Sequence, residues 1–142
     1  MKDVITKTKL LEHPIEKVWS AITKAKELST WFIKTDFKAE VGFNYTFSST
    51  GEEGCVPITG IVKEASPYTL VYTWNVEDTH TETTVKWVLE DIDGKTKLYL
   101  EHSGISLYPG DTAIKMFESF DGGWDNCIKG LDKFMNENVY AK

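Results

Sequence analysis

His102 is the polar residue of this sequence whose type and position are best suited to chemistry. Alternation along a predicted strand places it on the same apolar face as Leu98 and Leu100. A neutral imidazole on such a face can orient a ligand hydroxyl or carbonyl group, or act as a general base near neutral pH. The alternative is a structural histidine, hydrogen-bonded to nearby backbone where the strand ends at Gly104. We favour the structural role over ligand contact, and ligand contact over catalysis, so we predict no catalytic residue.

Aromatic side chains alternate along the neighbouring predicted strands. The set comprises Tyr45, Phe47, Tyr72, Trp74 and Trp87. These rings either line a ligand cavity or fill an ordinary core, because an aromatic side chain buries ~150–250 Å² in any interface between a sheet and a helix. The hydroxyl groups of Tyr45 and Tyr72 can hold the polar end of a ligand, although such groups more often reach solvent at the end of a strand.

Other kinds of catalytic or metal site lack their usual residue patterns. The histidines at positions 13, 80 and 102 fall in three different elements, without the paired spacing of a zinc site. Cys55 and Cys127 are too few for a disulfide scaffold, and Cys127 is predicted to be a small buried residue of a helix. The sequence has no Gly-x-Ser-x-Gly elbow, no phosphate-binding loop and no inward pair of carboxylates. We therefore predict neither a metal nor a cofactor.

The charge of the chain restricts its partners. The net charge is −6 at pH 7, and all 16 basic residues are lysines. Without arginine the chain lacks the planar group that holds phosphate through two parallel hydrogen bonds, and it has no basic run. We therefore predict binding to neither nucleic acid nor anionic membranes. No apolar stretch approaches the ~20 residues that span a bilayer and no signal sequence opens the chain, so we expect a cytoplasmic protein.

Periodicity predicts the elements that must position these residues. Residues 4–11 alternate as an opening strand, and Pro14 begins a helix whose apolar positions recur at helical spacing. A second short helix is predicted at residues 26–32. Residues 35–103 have the pattern of strands and turns, in which Asp93 and Gly94 are typical of a two-residue hairpin turn. Nothing marks a domain boundary, so we expect a single domain over residues 1–142.

A long helix is predicted at residues 111–139. Its apolar positions are Phe117, Phe120, Trp124, Ile128, Leu131 and Met135. A helix that follows an antiparallel meander of six or seven strands packs across the concave face of the curved sheet and encloses a groove. The predicted fold class is therefore α+β. The residues predicted to line a ligand site in this groove are Tyr45, Phe47, Tyr72, Trp74, Trp87, Leu100, His102, Phe117, Phe120 and Trp124.

Gly122 and Gly123 interrupt the predicted long helix. A glycine inside a helix costs ~1 kcal/mol relative to alanine, so two in succession need a reason. We expect them to allow close approach of the helix backbone to the sheet, with a hinge for ligand entry as the alternative. The other candidate entrances are the loops at residues 50–54 and 104–110.

Three stretches of the sequence resemble a known superfamily. They are residues 13–19 (HPIEKVW), residues 100–104 (LEHSG) and residues 123–131 (GWDNCIKGL). The chain resembles the SRPBCC, or START/Bet v 1-like, superfamily, and within it the branch named after the activator of the 90-kDa heat-shock protein ATPase. Together with the strand order, the likeness covers essentially the whole chain. It implies a helix-grip fold with a hydrophobic ligand cavity between the sheet and the C-terminal helix.

Three functional hypotheses follow. The first is binding of a small hydrophobic molecule such as a lipid, a polyketide or a flavonoid-like compound. The second is an enzyme of the cyclase or hydratase type, with His102 and a tyrosine as acid–base groups. The third is a co-chaperone-like interaction domain, which requires an exposed apolar patch. We favour ligand binding, because only one inward polar group is convincing and the outer faces of the strands are rich in lysine, threonine and glutamate.

Overall fold

A computed structural model describes residues 4–31, 35–47, 58–76 and 81–138. Cys55, His80 and the predicted entrance at residues 50–54 lie outside these ranges. The elements in chain order are β1 (Ile5–Leu11), α1 (Ile15–Thr23), α2 (Ala25–Trp31), β2 (Asn44–Phe47), β3 (Ile58–Ser66), β4 (Thr69–Val76), β5 (Glu82–Ile92), β6 (Lys95–Ser103), a 3-10 turn (Ile105–Leu107) and α3 (Gly110–Asn138).

The strands within the described ranges form one antiparallel sheet of six members in the order β1-β6-β5-β4-β3-β2. Each strand from β2 to β6 pairs with its neighbour in sequence, and β1 returns to pair with β6. The long helix α3 lies against the inner face of this sheet. The predicted α+β helix-grip architecture is therefore confirmed, with six strands rather than seven in the described part of the chain.

Alternation along β5 and β6 determines which side chains face the helix. Val85 and Trp87 on β5 lie opposite His102 and Leu100 on β6, and all four are buried. The two strands are joined at Asp93 and Gly94, whose φ angles are 54° and 87°. Both angles are positive, as a two-residue hairpin turn requires. The predicted turn and the predicted inner face are therefore confirmed.

The two short helices pack against each other, and α1 also contacts β5 and β6. Pro14 precedes the first helical residue and its carbonyl oxygen accepts hydrogen bonds from the amides of Lys17 and Val18. The second helix is held to the first because Trp31 donates its indole N–H to the carbonyl oxygen of Ala21 at 2.9 Å. It begins one residue earlier than predicted, at Ala25, and is described as far as Trp31.

The long helix α3 is packed unevenly along its length. Its C-terminal half contributes five buried residues to the core, namely Trp124, Cys127, Ile128, Leu131 and Met135. In its N-terminal half only Ala113 is buried, and Met116, Phe117 and Phe120 are half-buried. Lys7 on β1 forms ion pairs with two residues in the middle of the helix, Asp121 at 2.7 Å and Asp125 at 2.9 Å.

The prediction that Gly122 and Gly123 allow close packing is wrong. Both residues are exposed, and a Cβ atom built at either position would meet no neighbouring atom within 4 Å. The helix is continuous through both residues. The two glycines therefore face solvent, and the hinge alternative stays a prediction.

Candidate ligand site

Aromatic rings from the sheet and from α3 meet on the inner face of the fold. We call this set the aromatic cluster: Phe37, Tyr45, Phe47, Tyr72, Trp74, Trp87, His102, Phe120 and Trp124. Neighbouring rings have centroids 4.7–6.3 Å apart. Eight of the ten residues predicted to line the ligand site belong to this cluster. Leu100 is buried beside it, and Phe117 is half-buried against the core.

Phe37 is a member of the cluster that sequence patterns do not predict. It lies between α2 and β2, where no alternation marks an inward position. The hydroxyl oxygen of Thr35 accepts a hydrogen bond from the Phe37 amide at 3.1 Å, while the same hydroxyl donates to the carbonyl oxygen of Thr46 at 2.7 Å. These bonds fix the irregular segment to β2 and place the Phe37 ring 5.4 Å from that of Tyr45.

His102 is fully buried, and both of its ring nitrogens are engaged. Trp124 donates its indole N–H to Nδ1 at 2.9 Å. The Nδ1 atom is therefore unprotonated, so the ring proton lies on Nε2 and is donated to the hydroxyl oxygen of Thr83 at 2.7 Å. The Thr83 hydroxyl in turn donates to the carbonyl oxygen of Trp74 at 3.1 Å.

This chain of hydrogen bonds makes His102 a neutral structural link between β4, β5, β6 and α3. Burial lowers the pKa of His102 to about 3. An imidazole with this pKa is almost entirely unprotonated at neutral pH and is a weak general base. The structural role was expected to rest on backbone partners, whereas the hydrogen-bond partners of the ring are the side chains of Trp124 and Thr83.

The two tyrosine hydroxyls of the cluster point inward, although solvent was the expected environment. Tyr45 on β2 reaches across β3 and donates to the carbonyl oxygen of Thr73 on β4. It passes over Gly60, where a Cβ atom would overlap the Thr73 carbonyl oxygen and lie 2.7 Å from the tyrosine hydroxyl. Burial raises the pKa of the Tyr45 hydroxyl far above its usual value, so this group stays protonated.

Tyr72 and Cys127 are also held in their neutral forms. Trp87 donates its indole N–H to the Tyr72 hydroxyl oxygen at 2.9 Å. Burial raises the pKa of the Tyr72 hydroxyl and that of the Cys127 thiol well above their usual values. The thiol is therefore not activated as a nucleophile, and Cys127 is the small buried helix residue that was predicted.

Trp74 differs from the other members of the cluster. Its side chain is only 5% exposed, and its indole nitrogen has no hydrogen-bond partner among the residues that the structure describes. Its ring centroid lies 5.2 Å from that of Trp124 and 5.6 Å from that of His102. The cluster therefore contains a buried hydrogen-bond donor that the protein leaves unused.

The N-terminal half of α3 forms the least tightly packed cover of the cluster. Phe120 stacks on the His102 ring with centroids 4.7 Å apart, yet it is only half-buried. Nearby in sequence, Leu107 is 67% exposed and Ile114 is 51% exposed. The predicted entrance at residues 104–110 leads directly into this part of the helix.

An open groove of about 590 Å³ lies elsewhere, on the outer side of the contact between β1 and α3. It is lined mainly by charged side chains, among them Lys7, Lys9, Asp125, Lys129 and Asp132. Several of these charges already pair with one another, as Lys7 does with Asp125. This groove contains none of the residues predicted to bind a ligand.

Two further observations concern metals and membranes. In the part of the chain that the structure describes, no three or more His, Cys, Asp or Glu side chains are grouped so that they could hold a metal ion. Within the same ranges, no helix combines the length and the apolar character required to cross a bilayer.

Comparison with known proteins identifies the family. The family model described as "Activator of Hsp90 ATPase homolog 1-like protein" matches residues 12–136, which is most of the chain. The chain belongs to this family. The resemblance seen in the sequence is thereby confirmed. No curated protein matches the sequence significantly.

Solved structures share the fold of this family member. Protein MLL2253 from Mesorhizobium loti is 24% identical, with a TM-score of 0.83, and the match covers 94% of this chain and 97% of that one. BH1534 from Bacillus halodurans is 27% identical, with a TM-score of 0.74 and coverage of 94% and 96%. PFC0360w from Plasmodium falciparum, described as an HSP90 activator, is 20% identical, with a TM-score of 0.77 and coverage of 95% and 97%.

Proposed function

We propose that this protein binds a small hydrophobic molecule between the sheet and α3, in the space that the aromatic cluster fills in the free protein. The supporting observation is the uneven cover of the cluster. The C-terminal half of α3 is anchored by five buried side chains, whereas in the N-terminal half the half-buried Phe120 stacks on His102 and the half-buried Phe117 packs against the core. A ligand that displaces these two rings gains contact with a deep apolar surface without disturbing the anchored half of the helix.

The expected affinity follows from the apolar area that a ligand would bury. Burying roughly 300 Å² of apolar ligand surface at ~25 cal/mol per Å² contributes about 7.5 kcal/mol before other terms. Displacing Phe120 from His102 and ordering the ligand subtract from this value. Dissociation constants in the micromolar range or weaker are therefore expected. In this proposal the protein meets its ligand in the cytoplasm, as the sequence predicts.

Ligand binding without turnover is favoured over the cyclase or hydratase hypothesis. The hydrogen bonds from Trp124 and to Thr83 occupy both nitrogens of His102, and the pKa of this residue is about 3. The hydroxyl of Tyr45 is committed to a backbone carbonyl group. An acid–base pair for catalysis would require these bonds to break first.

A second candidate function is binding to a protein partner. The family takes its name from activators of the Hsp90 ATPase, and the Plasmodium structure is described as an HSP90 activator. On this hypothesis the contact surface would include exposed apolar side chains such as Leu107 and Ile114. Ligand binding predicts chemical-shift changes inside the aromatic cluster, whereas partner binding predicts changes at exposed apolar side chains. A chemical-shift titration can therefore test the first function separately from the second.

That measurement is an amide and indole shift titration of the labelled protein with fatty acids, sterols, polyketides and flavonoids. The proposal predicts saturable shifts at Tyr72, Trp74, Trp87, His102 and residues 117–124. Ile114→Ala, which alters the solvent side of the same helix, is the matched control and leaves these shifts unchanged. Shifts absent for every compound, or confined to the outer face of the sheet, would refute the proposal.

A further inference from the structure

The indole N–H of Trp74 differs from those of three other tryptophans in the described part of the chain. Trp31, Trp87 and Trp124 each donate their indole N–H to an oxygen or nitrogen atom at 2.9 Å. The N–H of Trp74 is buried like those of Trp87 and Trp124 but has no acceptor within the described ranges. Native proteins rarely leave such a donor unsatisfied, because burial removes its hydrogen bond to water and nothing replaces it.

The polar atoms around Trp74 are already committed to one another. His102 accepts from Trp124 through Nδ1 and donates to Thr83 through Nε2. The Thr83 hydroxyl uses its own proton on the backbone carbonyl oxygen of Trp74. Two other rings that contact the indole, Phe47 and Phe120, carry no acceptor atom. Among the described residues, no free acceptor is left for this N–H, which points to an acceptor supplied by a bound molecule.

Charge indicates what kind of acceptor this is. The aromatic cluster contains no lysine, and its histidine is held neutral by the hydrogen bond from Trp124 to Nδ1. A carboxylate placed beside Trp74 would lose its hydration and gain a single N–H donor, which does not balance the cost of burying a charge. A ketone or another neutral carbonyl oxygen needs only one such donor and loses far less hydration.

We propose that the ligand of this site carries a neutral carbonyl oxygen on an apolar ring framework, and that Trp74 Nε1 donates a hydrogen bond to that oxygen. This inference rests on the proposed function, since it concerns the same site. It distinguishes among the ligand classes considered above: ring ketones of the polyketide or flavonoid type bind, and fatty acids in their ionised form do not.

Three compounds that share one bicyclic skeleton test the inference. They are α-tetralone, which has a ketone, tetralin, in which the carbonyl group is a methylene group, and the ionised tetralin carboxylic acid. Titration of the full chain at pH 7 is expected to give about tenfold tighter binding of α-tetralone than of tetralin. A factor of this size corresponds to the contribution of one hydrogen bond to the binding free energy. The carboxylate is expected to bind more weakly than either.

Trp74→Phe removes the donor while keeping an aromatic ring, and it is expected to abolish the advantage of the ketone over the hydrocarbon. Trp31→Phe is the matched control, because Trp31 donates to Ala21 away from the cluster, and it keeps the advantage. A second readout uses the wild-type protein and so does not depend on whether a variant folds. In the wild-type protein, the indole proton of Trp74 is expected to shift downfield with α-tetralone and to show no such shift with tetralin.

The outcomes separate this inference from the proposed function. If none of the three compounds binds inside the cluster, the proposed function itself fails. If α-tetralone and tetralin bind there equally well and the Trp74 indole proton responds to both alike, the site exists but the inference is wrong. In that case the faces of the neighbouring rings satisfy the N–H. If the carboxylate binds most tightly, the argument from charge is refuted.

Discussion

Gly60→Ala is expected to destabilise the fold strongly, because the side chain of Tyr45 and the backbone of β4 occupy the space that a Cβ atom needs. The new methyl group would overlap the carbonyl oxygen of Thr73 and lie 2.7 Å from the Tyr45 hydroxyl. Backbone cannot move aside as a flexible side chain can. Overpacking typically costs about 1–3 kcal/mol, and loss of the bond from Tyr45 to Thr73 adds about 1 kcal/mol.

The sum is a loss of about 2–4 kcal/mol in the free energy of unfolding, or a fall of roughly 10 °C in Tm for a chain of this size. Urea unfolding, monitored by tryptophan fluorescence, measures this loss in the free energy of unfolding. Gly123→Ala is the matched control, because its Cβ atom meets open space on a helix. That variant is expected to stabilise the protein by up to ~1 kcal/mol. A neutral Gly60→Ala, or a destabilising Gly123→Ala, would refute the reasoning from close approach.

Three further predictions concern His102, Lys7 and Phe120. Because the folded-state pKa of His102 lies near 3 and its unfolded value near 6.5, the unfolded state binds the additional proton between these values. The free energy of unfolding should therefore fall by up to about 1.4 kcal/mol per unit as the pH drops below 6.5, and His102→Gln should lack this component in urea titrations. Lys7→Met should cost no more than about 1 kcal/mol and should reduce the salt dependence of stability, since the ion pairs of Lys7 are partly exposed. A larger loss would show that these pairs anchor α3. Phe120→Ala should speed ligand association in stopped-flow fluorescence, with Ile114→Ala as the unchanged control. An unchanged rate for Phe120→Ala would mean that entry occurs elsewhere.

Local patterns were sufficient to predict the architecture. Inward positions of β5 and β6 follow from strict alternation, and the hairpin between them follows from the positive φ angles that Asp93 and Gly94 tolerate. The buried face of α3 follows from helical spacing, as shown by Trp124, Leu131 and Met135. Each of these features depends on residues that are close in sequence, which explains why the sequence alone predicts them.

The hydrogen bonds of the site depend on contacts distant in sequence. Alternation placed His102 on the inner face, but its partners Thr83 and Trp124 lie on another strand and on α3. The same limit applies to Tyr45, whose expected solvent-facing hydroxyl instead reaches Thr73. No periodicity along one element can show which side chain of another element it meets.

The glycines also show that contacts between distant parts of the sequence cannot be predicted from local residue type. The close approach expected at Gly122 and Gly123 occurs instead at Gly60, which the sequence did not single out. In all three cases the local residue type is identical. What differs is that the backbone of β4 and the side chain of Tyr45 from β2 lie over Gly60. This close approach is a property of the folded sheet.

The central claim is that a small apolar molecule binds inside the aromatic cluster. Intermolecular NOEs between α-tetralone and the labelled protein test it most directly, because they report which side chains the bound molecule contacts. The account predicts NOEs to the ring protons of Trp74, Phe120 and Trp124. NOEs confined to Lys9, Lys129 and their neighbours would place the molecule in the outer groove between β1 and α3 and would contradict the account.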